Sequence, residues 1–189
     1  MKSIKTLTIS TLLIASLSSS IYAKECFNAD NIDVKWTSFK TLAKVGVSGT
    51  FNDVKLTTPR NANSLKTLLK DAQIAISFKN IDAKSAVKNE NILKYFVANL
   101  ETQNITGKIT GVNQKELFVE FQLNKTTKII PMKYLVKDNQ VIASGVIDGM
   151  DFGMKKALFV LNKNVAGHLN KGWFDIPISF SMNLSKQCK

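Results

Sequence analysis

The sequence predicts an all-β fold, an antiparallel barrel of about eight strands. Three observations carry that reading. Period-two alternation of apolar and polar residues dominates at least seven short segments. The joins between them are of turn length, and no internal repeat, low-complexity run or linker divides the chain. Strands that are apolar on one face must curl to bury it, and closing the sheet also removes exposed edges.

Taken in order, the first strand passes through Lys35-Trp36-Thr37. Val45, Val47, Gly49 and Phe51 then face one way while Gly46, Ser48 and Thr50 face the other. Ile74, Ile76 and Phe78 repeat the pattern, as do Leu117, Val119, Phe121 and Leu123 against Phe118, Glu120, Gln122 and Asn124. Ile130, Met132, Tyr134 and Val136 follow, and Lys137-Asp138-Asn139 forms a tight turn. Val141 to Asp148 makes the return strand; both of its faces are apolar, so the pattern does not orient it. The last strand is the cleanest, with Ile176, Ile178, Phe180, Met182 and Leu184 on one face.

Helical signals sit between these strands. Ser64 is placed to cap a turn through Leu69, and Asn91 to Phe96 forms a second short piece. In the third, Asp151 is expected to cap a helix through Met154, Leu158, Leu161, Val165 and Leu169, with Gly172 as its stop.

Residues 1–23 read as a cleavable export signal. Lys2 and Lys5 form the charged start, Ile9 to Leu17 a short apolar core, and Ser20-Ile21-Tyr22-Ala23 the cleavage end. A permanent anchor would need about 20 apolar residues. Lipid attachment is not expected, because Ala23-Lys24-Glu25 before Cys26 lacks the small apolar run it requires. The mature chain is therefore expected in the periplasm, starting at Lys24. Removing 23 of the 189 residues leaves 166, enough for one domain over 24–189.

Formal charge falls from +12 to +10 on cleavage, since Lys2 and Lys5 leave without any acid. The excess is scattered lysine with Arg60 as the only arginine. Nucleic-acid binding is not expected, because arginine-rich or aromatic-interleaved clusters are missing. A solvated basic surface with weak, transient attraction to anionic lipid head groups fits instead. Cys26 and Cys188, at the two extremes of the mature chain, are expected to form a periplasmic disulfide. The alternative is two free thiols with metal or redox duties, but no cysteine pair is closely spaced and His168 is the only histidine.

No Gly-x-Ser-x-Gly elbow, glycine-rich phosphate loop or His-Glu-x-x-His is present. Asp151-Phe152-Gly153 mimics the kinase metal-binding triplet, but every other kinase part is missing. His168 reads as a partly buried helix-end residue rather than a base, because no orienting carboxylate is suggested by spacing. The chain is expected not to be an enzyme and to need no cofactor.

An eight-stranded barrel is either just filled by side chains or holds one slender ligand. Trp36, Phe51, Phe78, Phe121, Met132, Tyr134 and Phe180 point inward on the alternation, with Val47 and Ile76 on the same faces and Phe96 and Phe152 near the ends. Such a set either lines an apolar pocket or simply fills a core. The pattern alone leaves both open.

Several segments in order resemble the YceI-like family of periplasmic lipocalin-like proteins. These are Val45-Gly46-Val47-Ser48-Gly49-Thr50-Phe51, Ile74 to Phe78 followed by Asp82-Ala83-Lys84, Leu93-Lys94-Tyr95-Phe96, Val119 to Thr126, and Val146-Ile147-Asp148 through Asp151-Phe152-Gly153. The match spans about Asp33 to Leu184. It departs at Lys88-Asn89, where the family commonly has Arg-Asp, and in strand one, which lacks the common histidine. The resemblance implies a lipocalin-like barrel closed by short helices. It also implies a long-chain ligand in the lumen, an isoprenoid (quinone-like) or a fatty amide or acid, and no catalytic residues. A homodimer is compatible with it. The expected role is carriage, storage or stress protection, and the competing one is a structural envelope protein with a filled barrel.

Overall fold

The computed structural model describes residues 26–186 and Cys188; the export-signal reading lies outside these residues. Ten strands form one antiparallel sheet: β1 Asn28–Lys40, β2 Val45–Phe51, β3 Lys55–Thr57, β4 Gln73–Ser77, β5 Ile81–Asp82, β6 Asn104–Val112, β7 Glu116–Leu123, β8 Thr126–Lys137, β9 Gln140–Asp148 and β10 Asp175–Ser185. Their spatial order is β3-β4-β6-β7-β8-β9-β10-β1-β2-β5. β4 and β5 belong to one bent segment, joined by a single 3-10 turn at Phe78–Asn80. Its first half pairs with β6 and its second half with β2. The sheet therefore curls until both of its ends meet on that segment, and eight strand positions make the circuit with β3 as an added edge. Phe78, read from sequence as the end of a strand, starts the bend.

Local chemistry explains the joins. Asn124 and Lys125 link β7 to β8 and Asp138 and Asn139 link β8 to β9, all four with positive φ. Two left-handed residues match the twist of a two-residue hairpin, and Asn and Asp adopt that region at low cost. β9 is oriented by the sheet: Val141, Ala143 and Ile147 are buried while Ile142 and Val146 stay exposed. Across from it, β10 buries Phe180 and Met182.

Helices close the two ends. At one end α1 (Leu65–Leu69) is capped by Ser64, whose hydroxyl accepts from the Thr67 N–H, and it buries Leu68 and Leu69 completely. At the other, α2 (Ala86–Asn91) runs into a π-helical turn at Ile92–Phe96 and a 3-10 turn at Val97–Asn99. α3 (Lys155–Asn164) packs against that π turn. α3 is shorter at both ends than its apolar spacing predicts. The residue before it is Met154, not Asp151, whose carboxylate instead lies 3.7 Å from the Lys128 ammonium. Val165 leaves the helix, a 3-10 turn follows at Ala166–His168, and Leu169 takes φ 50° and points into water. Asn164 and Gly167 favour helix ends over helix interiors, so the run of apolar residues outlasts the helix.

Cys26 and Cys188 are joined in a disulfide across a sequence separation of 162. The pairing follows from topology: β1 and β10 are neighbours, with Asn28 opposite Ser185, so Cys26 and Cys188 arrive side by side.

Candidate functional site

A cavity of about 200 Å³ runs through the barrel beneath the helical end. Its wall is built from the inward faces of the strands, and its roof from the π turn, α3 and the segment before β10. Ile92 and Phe96 hang from the π turn, Leu158, Leu161 and Val165 from α3 and its exit, and Trp173 and Phe174 from the chain entering β10. A cavity whose walls are mostly apolar, with a few polar groups among them, suits the apolar part of a ligand.

Nine of the eleven residues singled out from sequence line it: Trp36, Val47, Phe51, Ile76, Phe78, Phe96, Phe121, Met132 and Phe180. Phe51, Phe78 and Phe96 meet edge to face, with centroids 6.1 and 6.2 Å apart. The Trp36 indole lies across Gly49 and donates to the Thr50 carbonyl at 3.3 Å; a Cβ on Gly49 would collide with that indole and with the Asp82 carbonyl. Gly107 leaves similar room for the Phe121 ring and Ile74.

Phe152 and Tyr134 do not line the cavity. Phe152 is wholly buried in the turn before α3, where its carbonyl accepts from the Asn124 amide at 2.9 Å. Tyr134 lies toward the other end of β8, where the strand becomes exposed, and its hydroxyl donates to the Asn113 carbonyl at 2.9 Å. Alternation assigned Tyr134 its face correctly but carries no information on where along a strand the lumen stops.

Most of the polar groups on the lining gather toward the end where Lys40 and His168 lie. Ser38, Lys40, Lys88, Asn91, His168 and Ser179 are on its lining, and no carboxylate is among the lining residues. Lys40 makes no ion pair among the described residues. Its ammonium stands about 3.3 Å from where a Cβ on Gly167 would be, next in sequence to His168. The His168 Nδ1 is 2.7 Å from the Oδ1 of buried Asn162. Burial, and then the Lys40 charge, hold the His168 imidazolium below its ordinary pKa. Asn162 in turn fills the space that glycine leaves at Gly172. Trp173 stands at the same end, with Lys44 and Lys171 each 4.4 Å from its ring and its Nε1 donating to the Thr41 carbonyl at 2.8 Å. Hydrophobic alternation could not reveal this polar set, because it joins strand positions (Ser38 and Lys40 of β1, Ser179 of β10) to α2 and to the turn after α3, and no local period relates them.

No protein-family model and no curated protein matches the sequence. Solved structures do match. A polyisoprenoid binding domain from Saccharophagus degradans, implicated in plant cell wall breakdown, aligns over 87% of this chain and 99% of its own at 12% identity, with a TM-score of 0.61. Burkholderia cenocepacia BcnA aligns over 84% and 99% at 13% identity, TM-score 0.57. The Campylobacter jejuni YceI protein aligns over 96% and 100% at 12% identity, TM-score 0.51. The chain thus has the lipocalin-like barrel fold of YceI proteins. At these identities the likeness is one of fold.

Proposed function

We propose that this chain is an exported, periplasmic binding protein that holds one long-chain amphiphile, an isoprenoid (quinone-like) or a fatty acid or amide, with its tail in the barrel. It works without catalysis or a cofactor and serves carriage, storage or stress protection. The cavity carries this reading: a barrel filled by its own side chains has no use for a void of about 200 Å³ walled by apolar groups. Each methylene transferred into it from water contributes about 0.8 kcal/mol. Tail length alone can therefore drive binding. The head belongs at the Lys40–His168 end, where the lining has most of its polar groups. The polyisoprenoid binding of a structure with the same fold supports the ligand class, and the disulfide supports an oxidising compartment.

The test is native mass spectrometry of protein purified from the periplasm, followed by organic extraction. A lipid mass released in stoichiometric amount is expected. If no lipid accompanies the protein, and delipidated protein shows no saturable binding of isoprenoids, fatty acids or fatty amides, the reading fails and a structural envelope role replaces it.

A further inference from the structure

Single exposed apolar residues are ordinary on any protein surface. Here, however, the four most exposed large apolar side chains among the described residues all belong to the cavity's helical end. They are Leu42 (84% exposed) in the β1–β2 turn, Val87 (68%) on α2, Phe159 (65%) on α3 and Leu169 (74%) in the turn after α3. The next is Ile129 (57%), on the outer wall. Backbone contacts bring two of these turns together: the Thr41 N–H donates to the Lys171 carbonyl at 3.0 Å, and the Lys171 N–H to the His168 carbonyl at 3.0 Å. α2 leads directly into the π turn that packs on α3.

The charge around these tips is predominantly positive, with Asp175 and Asp82 paired to Lys44 and Lys84. Segments 40–45, 84–94 and 155–171 hold nine lysines and a single acid, Glu90. Of the nine, only Lys44 and Lys84 make ion pairs among the described residues. On α3 the division is sharp: Ala157, Leu158 and Leu161 are buried, while Phe159 stands out in water with Lys155, Lys156 and Lys163.

We propose that this end is a docking face for an anionic lipid bilayer. Apolar tips set among cations match the interface, where rings and aliphatic chains enter the acyl boundary and each lysine gains about 1 kcal/mol from anionic head groups. A second copy of the chain is a poor occupant, since a two-fold contact would set this lysine-rich face against itself. Nucleic acid would use the lysines and leave the apolar tips in water. Docking would place the polar end of the cavity against the membrane, so that an amphiphile could pass between bilayer and barrel without crossing water.

The experiment is co-sedimentation of the mature protein with vesicles of phosphatidylcholine plus phosphatidylglycerol, and with phosphatidylcholine alone. Saturable binding to the anionic vesicles, weakened by salt, is expected. The combined Leu42→Ser, Phe159→Ser and Leu169→Ser variant should bind about tenfold or more weakly. Lys155→Glu with Lys163→Glu should lose the anionic preference, while Ile129→Ser should bind as wild type. Equal binding to both vesicle types, unchanged binding of the triple variant, or a dimer in gel filtration that the triple variant dissolves would each overturn the proposal. Uptake of a soluble fluorescent fatty acid by each variant, measured without vesicles, separates this outcome from failure of the carrier reading. These side chains face water, so their loss should leave that uptake intact.

Discussion

The side-chain amide of Asn124 donates to the Phe152 carbonyl at 2.9 Å, and its Oδ1 accepts from the Glu101 backbone N–H. One buried residue in the β7–β8 turn thereby ties down both segments that lead into the roof: the exit from the 3-10 turn before β6 and the turn before α3. Its positive φ of 46° places the carboxamide there. Asparagine is suited to both demands, since it tolerates the left-handed region and offers one donor and one acceptor group.

Asn124→Ala should therefore destabilise the fold by about 2–3 kcal/mol, because it leaves a buried carbonyl and an amide without their partner. The midpoint of urea unfolding reports this. A shift under about 0.5 kcal/mol, the size of an ordinary surface substitution, would show that water replaces the carboxamide.

Val47→Trp is expected to fold and to lose lipid binding, since the indole would occupy the cavity that Val47 lines. Phe180→Ala should cost less than the 3–5 kcal/mol typical of a packed core, about 2, while weakening binding. Parallel denaturation and ligand titration decide the matter. An unfolded Val47→Trp with a full-cost Phe180→Ala would indicate a filled barrel.

Replacing Cys26 and Cys188 by serine should lower stability, with about 5 kcal/mol as the chain-entropy upper limit for a loop of this length. Thiol titration of unreduced, denatured wild type should find no free thiol. Two free thiols would remove the bridge from any account of stability.

His168 is the only histidine, so one imidazole signal reports it by NMR. Its pKa in the folded protein should fall below 6.5, with burial the larger cause and Lys40 the second. The unfolded chain then binds more protons between the folded pKa and 6.5. This group's contribution to stability accordingly declines as pH drops through that window and is restored above it. Lys40→Gln should raise the pKa toward 6.5. A wild-type value at or above 6.5 would mean that Lys40 and burial do not act on the ring as the geometry indicates.

Some of this was written in the order of residues. β7 and β10 alternate without interruption, their inward residues are large, and the structure places them as the alternation does. β6 was not legible: its pattern passes through Gly107, Lys108 and Gly111, and Gly107 is small to make room for the Phe121 ring of the next strand. β3 and β5 are three and two residues long, too short for a period to show. The apolar spacing from Met154 to Val165 continues to Leu169, but the backbone of α3 turns away first, so the period outruns the helix.

By itself, then, the sequence determined the all-β class, the identity of most inward side chains and the terminal placement of the two cysteines, since each depends on local period or position along the chain. Only the tertiary structure decided how far the lumen reaches, which excludes Tyr134 and Phe152, and that Lys40, Lys88 and His168 share one end of it. Those facts depend on where strands separated by more than a hundred residues come to lie beside one another, and no local pattern encodes the distance between them.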